Sequence, residues 1–507
     1  MKASAVILVV ALTGTATARA DDERRYALVV GYNGRPAQVS ESNLPVLRYA
    51  DDDALAFYEL EQELGGQPTL LTIPDSETRA RYPDAARIAR PPSIAELSRV
   101  ITSLNERMDA DLQAGRTPVL TFYFSGHGAR DEEGRASLTF LDGPLSQSSL
   151  YSKVLDQVHA KVVHLVIDAC HAEAVVRPRD VDAAGAAPSS SEIVAHLSQT
   201  TLARYPHVGV VIAGNSSAQT HEWEVYQSGV FTHEVISALR GGADVNHDDQ
   251  VEYSELAAFL AAANRGVADP RAKPNSIVRP PLTEVHAPLV RLTGQRPVAR
   301  LTGIPAAAGE FFVEDLHGNR LVDGRAEPGF TISLLLPAGQ PLFFKRNQQE
   351  AELLLRPGDR LDFGSLSFRQ RALTARGAVE SSFRAGLFVT PFGPAYYRGY
   401  IDRSDAVPVS DDNPIDLALP AGVDTPPTEA RPRATWLLGG AAGAFGATSA
   451  VFSFLAWDAY RDYDQTDLEQ PAKSAAARFK TASAVAVTLL LSAAACAVAS
   501  WVVGRAP

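Results

Sequence analysis

Over the first half of the chain, continuous apolar runs alternate with apolar residues spaced three and four apart. "YALVVG" (26–31), "TLLTI" (69–73), "PVLTFYF" (118–124), "KVVHLVID" (161–168) and "VGVVIAG" (208–214) read as strands of the buried type. Between the first two, Leu47, Ala50, Ala54, Phe57 and Leu64 recur at helical spacing. Leu97, Val100, Ile101, Leu104 and Met108 make the apolar face of a second helix. Further helices are expected near 147–159 and 229–240. Strands alternating with helices predict an α/β domain over 21–268, with a mostly parallel sheet covered on both faces. Ligands of such sheets bind beyond the carboxyl ends of the strands.

The pattern changes further on. "VRPRDVDAAGAAPSSS" (176–191) is an Ala/Ser/Pro-rich linker that splits the α/β region in two. A second linker is expected over 269–285. From 286 to 370, apolar and polar residues alternate between Gly, Asp and Asn turns, as in a small antiparallel β domain of the sandwich kind. Residues 371–433 hold an unassigned segment and then a Pro-rich, acidic tether. Residues 434–457 and 481–503 are uncharged and long enough to cross a bilayer, with Trp436, Trp457 and Trp501 at their ends. The loop between them carries Arg461, Lys473, Arg478 and Lys480, which favours that loop inside.

The first twenty residues read as a secretory signal. Lys2 precedes the apolar "AVILVVALTG", and Ala18 and Ala20 stand at the −3 and −1 positions of a cleavage site. The expected location is therefore extracytoplasmic, with the C-terminal helices anchored in the inner membrane. A net charge of −12 argues against nucleic acid as a partner. Of two cysteines, Cys496 lies in the last apolar stretch, so Cys170 is alone in the soluble part. A lone thiol in an oxidising compartment is exposed to damage unless it has a task.

Candidate chemistry lies just past two of the strands. "YFSGHG" puts His127 after 118–124, and "DACHAE" puts Cys170 after 161–168. Both residues would open onto the same edge of the sheet. Histidine can raise the thiolate fraction of a cysteine and later protonate a leaving group. Backbone N–H groups at a glycine turn can stabilise an oxyanion. His127 is then the base, Cys170 the nucleophile, and the N–H groups of Gly128 and Cys170 the oxyanion donors.

These two motifs resemble those of caspase and metacaspase-type cysteine peptidases, with "DACH" closer to metacaspases. "LRYADDDA" (47–54) is similar to the family's first helix, and "GVFTHEVISAL" (229–239) to a helix of its small subunit. The resemblance covers about residues 25–265. It implies a caspase-like αβα sandwich, a protein or peptide substrate, and hydrolysis through an acyl-enzyme without an organic cofactor. It also implies a substrate pocket in which Asp53 and Asp168 face a basic side chain, since paired carboxylates can hold a guanidinium. Residues 51–53 equally suit the acidic first turn of a helix. His171 is expected to orient its loop. Where metacaspases usually have a small residue and a glycine after the Cys-His pair, this chain has Ala172 and Glu173. The added carboxylate would raise the thiol pKa, and the lost glycine restricts the backbone. A catalytically silent binding module on a membrane anchor is the alternative. Arg177 and Arg179 in the linker are candidate self-processing sites.

A last motif is "ADVNHDDQVEYSEL". Counted from Asp244, the ligand positions of a twelve-residue calcium loop fall on Asp244, Asn246, Asp248, Gln250 through its carbonyl, Glu252 and Glu255. Asp249 stands where glycine is usual, and aspartate tolerates the left-handed conformation at some cost. A structural Ca2+ is the cation expected there.

Overall fold

The apolar runs become strands of one sheet, and the order of elements explains which residues meet at its rim. The computed structural model describes residues 22–34, 46–130, 136–170, 204–214, 222–267, 275–292, 298–304, 309–346, 349–370 and 386–401. The chain runs through β1 (Glu23–Tyr32), α1 (Ala50–Glu63), β2 (Gln67–Thr72), α2 (Ser76–Arg81), α3 (Ala85–Ile88), α4 (Ile94–Gln113) and β3 (Thr117–Gly126). A small antiparallel sheet of β4 (Gly128–Arg130), β5 (Ala136–Phe140) and β6 (Gly143–Ser146) interrupts the alternation. Then come α5 (Gln147–Leu150), β7 (Val162–Asp168), β8 (Val208–Gly214), β9 (Glu222–Trp223), β10 (Ser228–Gly229), α6 (Val230–Ser237), β11 (Gln250–Glu252), α7 (Tyr253–Asn264) and β12 (Asn275–Arg279).

The main sheet has the order β12-β8-β7-β3-β1-β2. All neighbours are parallel except β12, which pairs antiparallel with β8. Side chains alternate between two dry layers, which is why these strands read as near-continuous apolar runs. Tyr26, Leu28, Phe122, Phe124 and Ile167 pack with the Leu97–Met108 face of α4. Val29, Tyr123 and Val166 pack on the other face with Phe57 of α1, Val235 of α6 and Leu256 of α7. Tyr123 stacks on Phe57 with ring centres 4.1 Å apart.

α1 starts without a cap of its own. Its first N–H groups are met from elsewhere: Asn33 Oδ1 accepts from Ala50 N at 2.8 Å, and Glu222 accepts from Arg48 N and Tyr49 N, each at 2.8 Å. This fixes the first turn of α1, and with it Asp53, against the rim of the sheet.

The expected helix over 147–159 is only the short α5, extended by a wide turn at Tyr151–Leu155. The segment expected as a linker over 269–285 contains β12, so the α/β sheet reaches beyond residue 268. β13 (Pro288–Arg291) then pairs with β11.

The β-rich region keeps the expected alternation. β14 (Val298–Gly303), β15 (Phe311–Asp315), β16 (Arg320–Gly324), β17 (Ile332–Pro337), β18 (Pro341–Arg346), β19 (Gln349–Leu354), β20 (Arg360–Asp362) and β21 (Arg369–Gln370) form two sheets, β17-β14-β20 and β16-β15-β18-β19-β21. Leu301, Leu334 and Leu336 from one meet Val313, Leu342 and Phe344 from the other in one core. It is docked on α6, where the ring of His233 lies 2.8 Å from Asp323 and Ser237 Oγ accepts from Asp323 N at 3.1 Å. Within 371–433, α8 (Pro394–Ile401) packs on α7, with Tyr397 and Ser254 hydroxyls 2.9 Å apart.

Among the described residues, no helix is long and apolar enough to cross a membrane. The signal segment 1–20, the linker 176–191 and the two expected spans, 434–457 and 481–503, lie outside the described residues.

Candidate active site

Parallel pairing of β3 with β7 aligns Ser125 with Asp168. Two residues further on from each are His127 and Cys170, just past the ends of the two neighbouring strands. Tyr123 and Val166 both belong to the layer facing α1 and α6, and a step of two along each strand reaches Ser125 and Asp168. His127 is buried and Cys170 half-buried.

Gly128 shows how close the two ends come. A Cβ added there would sit 1.7 Å from the Cys170 carbonyl oxygen and 2.8 Å from its carbon. Only glycine lets the backbone after His127 pass against the backbone of Cys170. The hairpin β4–β5 holds this crossing in place, with Thr139 N donating to His127 O at 2.9 Å. In the antiparallel ladder the next pair, Gly128 with Leu138, is a non-bonded one, so the Gly128 N–H points away from β5.

Beside this rim lie the two carboxylates. Asp168 ends β7 and Asp53 sits in the first turn of α1; both are buried. Asp53 accepts from Ser125 Oγ at 2.8 Å, from Gly229 N at 2.9 Å and from Ser228 Oγ. Asp168 accepts from Thr232 Oγ1 at 2.8 Å and from Thr232 N at 3.2 Å. The Thr232 hydroxyl also meets Tyr123 at 2.7 Å. Gly229 separates the acids: a Cβ there would be 2.7 Å from Asp168 Oδ2 and 3.1 Å from Asp53 Oδ2. Burial, and then the charge of Asp168, push Asp53 well above the ordinary carboxylate range. Burial pushes Asp168 up to about 6, and the nearby Glu222 adds to this against the Thr232 hydrogen bonds.

The three aspartates of "ADDDA" therefore go three ways. Asp53 joins the pair. Asp52 forms a buried ion pair with Arg81 at 2.6 Å. Asp51 accepts from Asn33 at 2.7 Å, Thr78 Oγ1 at 2.8 Å and Asp75 N at 2.9 Å, which makes it a brace for the loop after β2. The sequence reading did not single out Ser125, Ser228, Gly229 or Thr232. Ser125 carried a usable signal, being two residues before His127 on one strand. The others come from the distant α6 and its approach, and only the topology brings them in.

The calcium-loop residues lie elsewhere, at the far end of α6 from Thr232. Asp244 is buried, Asn246 and Asp248 are exposed, Gln250 and Glu252 belong to β11, and Glu255 is in the first turn of α7. Among the described residues, no three acidic, histidine or cysteine side chains are close enough together to hold a metal ion as they stand. His171, Ala172, Glu173, Arg177 and Arg179 lie outside the described residues.

A mostly parallel αβα sandwich with a histidine, a cysteine and a buried acid pair at one rim defines the class. The family model for the caspase domain matches residues 24–286, just over half of the chain, and the chain belongs to this family of cysteine peptidases. The matched range takes in β12, in keeping with its place in the sheet. No curated protein matches the chain. Among solved structures, protein GSU0716 from Geobacter sulfurreducens is similar at 14% identity and a TM-score of 0.32, covering 51% of this chain and 98% of its own.

Proposed function

We propose that this chain is an endopeptidase that cleaves after arginine or lysine through His127 and Cys170. The observation that carries the reading is the buried pair of Asp53 and Asp168 against Gly229, beside the Gly128–Cys170 crossing. A basic side chain brought against this pair would find two carboxylates already desolvated. Because the packing at Gly229 has no room even for a methyl, its entry would require the surrounding groups to move apart. In this reading His127 takes the proton from Cys170 Sγ, and the thiolate attacks the carbonyl carbon after the basic residue. The oxyanion is met by the N–H groups of Gly128 and Cys170. Collapse breaks the C–N bond, and the amine leaves with the proton held by His127. Water, deprotonated by His127, then releases the acid and restores the thiol.

The sequence also supports a location for this activity. A cleaved segment over 1–20 and spans at 434–457 and 481–503 would hold the peptidase outside the cytoplasm on the inner membrane.

The test is covalent labelling of Cys170 by a peptidyl electrophile. Probes ending in arginine and in aspartate are compared on wild type and His127→Ala. Labelling by the arginine probe alone, lost in the variant, is the expected result. Equal labelling by both probes, or labelling indifferent to His127, would leave the silent binding module as the better reading.

A further inference from the structure

The turn after α6 contains a buried charge that the peptidase chemistry does not use. Asp244 is 3% exposed, and neither of its carboxylate oxygens has a hydrogen-bond partner among the described residues. The His247 N–H moderates the charge without reaching hydrogen-bond geometry, while Asp248 and Asp249 add like charge. An ionised carboxylate withdrawn from water with no donor is costly, and a bound cation is the ordinary remedy.

The surrounding backbone is arranged to supply the remaining oxygens. Asp249, at the position where such loops usually have glycine, adopts φ +60°, as does His247. Asp248 N donates to Asn246 Oδ1 at 3.0 Å and Gln250 N to Asp248 Oδ1 at 2.9 Å, so both side chains fold over the loop. Leu292 N donates to Asp249 O at 2.8 Å. In that antiparallel ladder the next residue turns its carbonyl the other way, so Gln250 O points away from β13. Two ligand positions are turned elsewhere: Glu252 lies 3.1 Å from the His286 ring and caps α7, and Glu255 closes the loop from within. The two oxygens of Glu255 accept from Val245 N at 3.1 Å and Glu252 N at 2.9 Å, and ion binding would exchange these contacts.

We propose that residues 244–255 bind one Ca2+ through Asp244, Asn246, Asp248, the Gln250 carbonyl and Glu255, with Glu252 acting through a water. Calcium fits better than magnesium, because a large ring of oxygens with a movable carboxylate does not match the compact octahedron that Mg2+ demands. The ion would secure a joint. Asp249 pairs with Arg300 of β14 at 2.7 Å and its carbonyl holds the end of β13, so the loop ties α6 and α7 to the β domain.

The experiment is calorimetric titration of CaCl2, and separately MgCl2, into the chelator-stripped full chain in detergent, with thermal melts alongside. One saturable Ca2+ site and a higher melting temperature in Ca2+ than in equal Mg2+ are expected. Asp248→Ala, on the exposed rim, should fold normally and bind Ca2+ about tenfold more weakly or worse. Asp244→Asn should melt above the stripped wild type and show no response to Ca2+. Unchanged Ca2+ binding in Asp248→Ala, equal responses to the two cations, or no saturable binding by the wild type would overturn the proposal.

Discussion

Replacing Gly128 with alanine tests the juxtaposition on which the candidate site depends. The added methyl would lie 1.7 Å from the Cys170 carbonyl oxygen. Carbon and oxygen in ordinary contact stand about 3.4 Å apart, so one backbone must give by roughly 1.5 Å. Neither end is a flexible side chain: one backbone is pinned by Thr139, and the other follows two residues after the end of β7. Overpacking of this kind costs about 1–3 kcal/mol of stability. A displacement near 1 Å between reacting groups costs on the order of 10²-fold in rate. Gly128→Ala should therefore fold with a lowered melting temperature and hydrolyse an arginine reporter peptide at least about 10²-fold more slowly in kcat/KM. Gly115→Ala is the control. Gly115 has a positive φ, +76°, and nothing lies within 4 Å of its added Cβ, so Gly115→Ala should lose about 1 kcal/mol and keep full activity. If Gly128→Ala retained activity within threefold of wild type, the crossing would not be what holds His127 and Cys170 together.

Two further outcomes follow from the acid pair. Gly229→Ala puts a methyl against both carboxylates, so KM for arginine peptides should rise by tenfold or more, with alkylation of Cys170 by iodoacetamide little changed; equal loss of both would indicate general damage instead. Because Asp53 and Asp168 are both raised, with Asp168 at about 6, a guanidinium must displace protons to enter. The Ki of agmatine as a competitive inhibitor should accordingly fall as pH rises from 5 to 8, and a Ki independent of pH would contradict a carboxylate pocket.

The sheet could be read from sequence because parallel strands buried on both faces announce themselves as unbroken apolar runs. β12 did not: "SIVR" is short, edge-placed and set among prolines, and only its pairing with β8 makes it part of the sheet. The β4–β6 sheet was equally silent, since strands of three to five residues carry too few positions for a period. His127, Cys170 and Asp168 were legible because each ends an apolar run. Asp53 was not separable from Asp51 and Asp52 by pattern. All three lie in one helical turn, and their different partners, Ser228, Thr78 and Arg81, come from distant parts of the chain. The same holds for Gly229, whose need for glycine arises only when two remote carboxylates meet across it.

The acid pair also separates a working enzyme from a silent module. Two buried carboxylates facing each other across Gly229 hold protons that the unfolded chain would release. Folding stability must then fall as pH rises from the ordinary carboxylate range through about 6, where Asp168 ionises. For Asp168 alone the loss is on the order of 2–3 kcal/mol. A binding surface has no use for that cost, whereas a pocket for cationic side chains does. Asp53→Asn removes one charge while its amide oxygen can keep the Gly229 N–H and the Ser228 hydroxyl, and the Ser125 hydroxyl can rotate to accept from the new amide. The variant should melt higher than wild type at pH 8 and differ little at pH 5, with kcat/KM for arginine peptides reduced by about 10²-fold. Thermal melts at the two pH values and reporter hydrolysis would be measured on the same preparations. A variant that is destabilised at pH 8, or one that keeps wild-type hydrolysis, would show that the pair does not serve a basic substrate side chain.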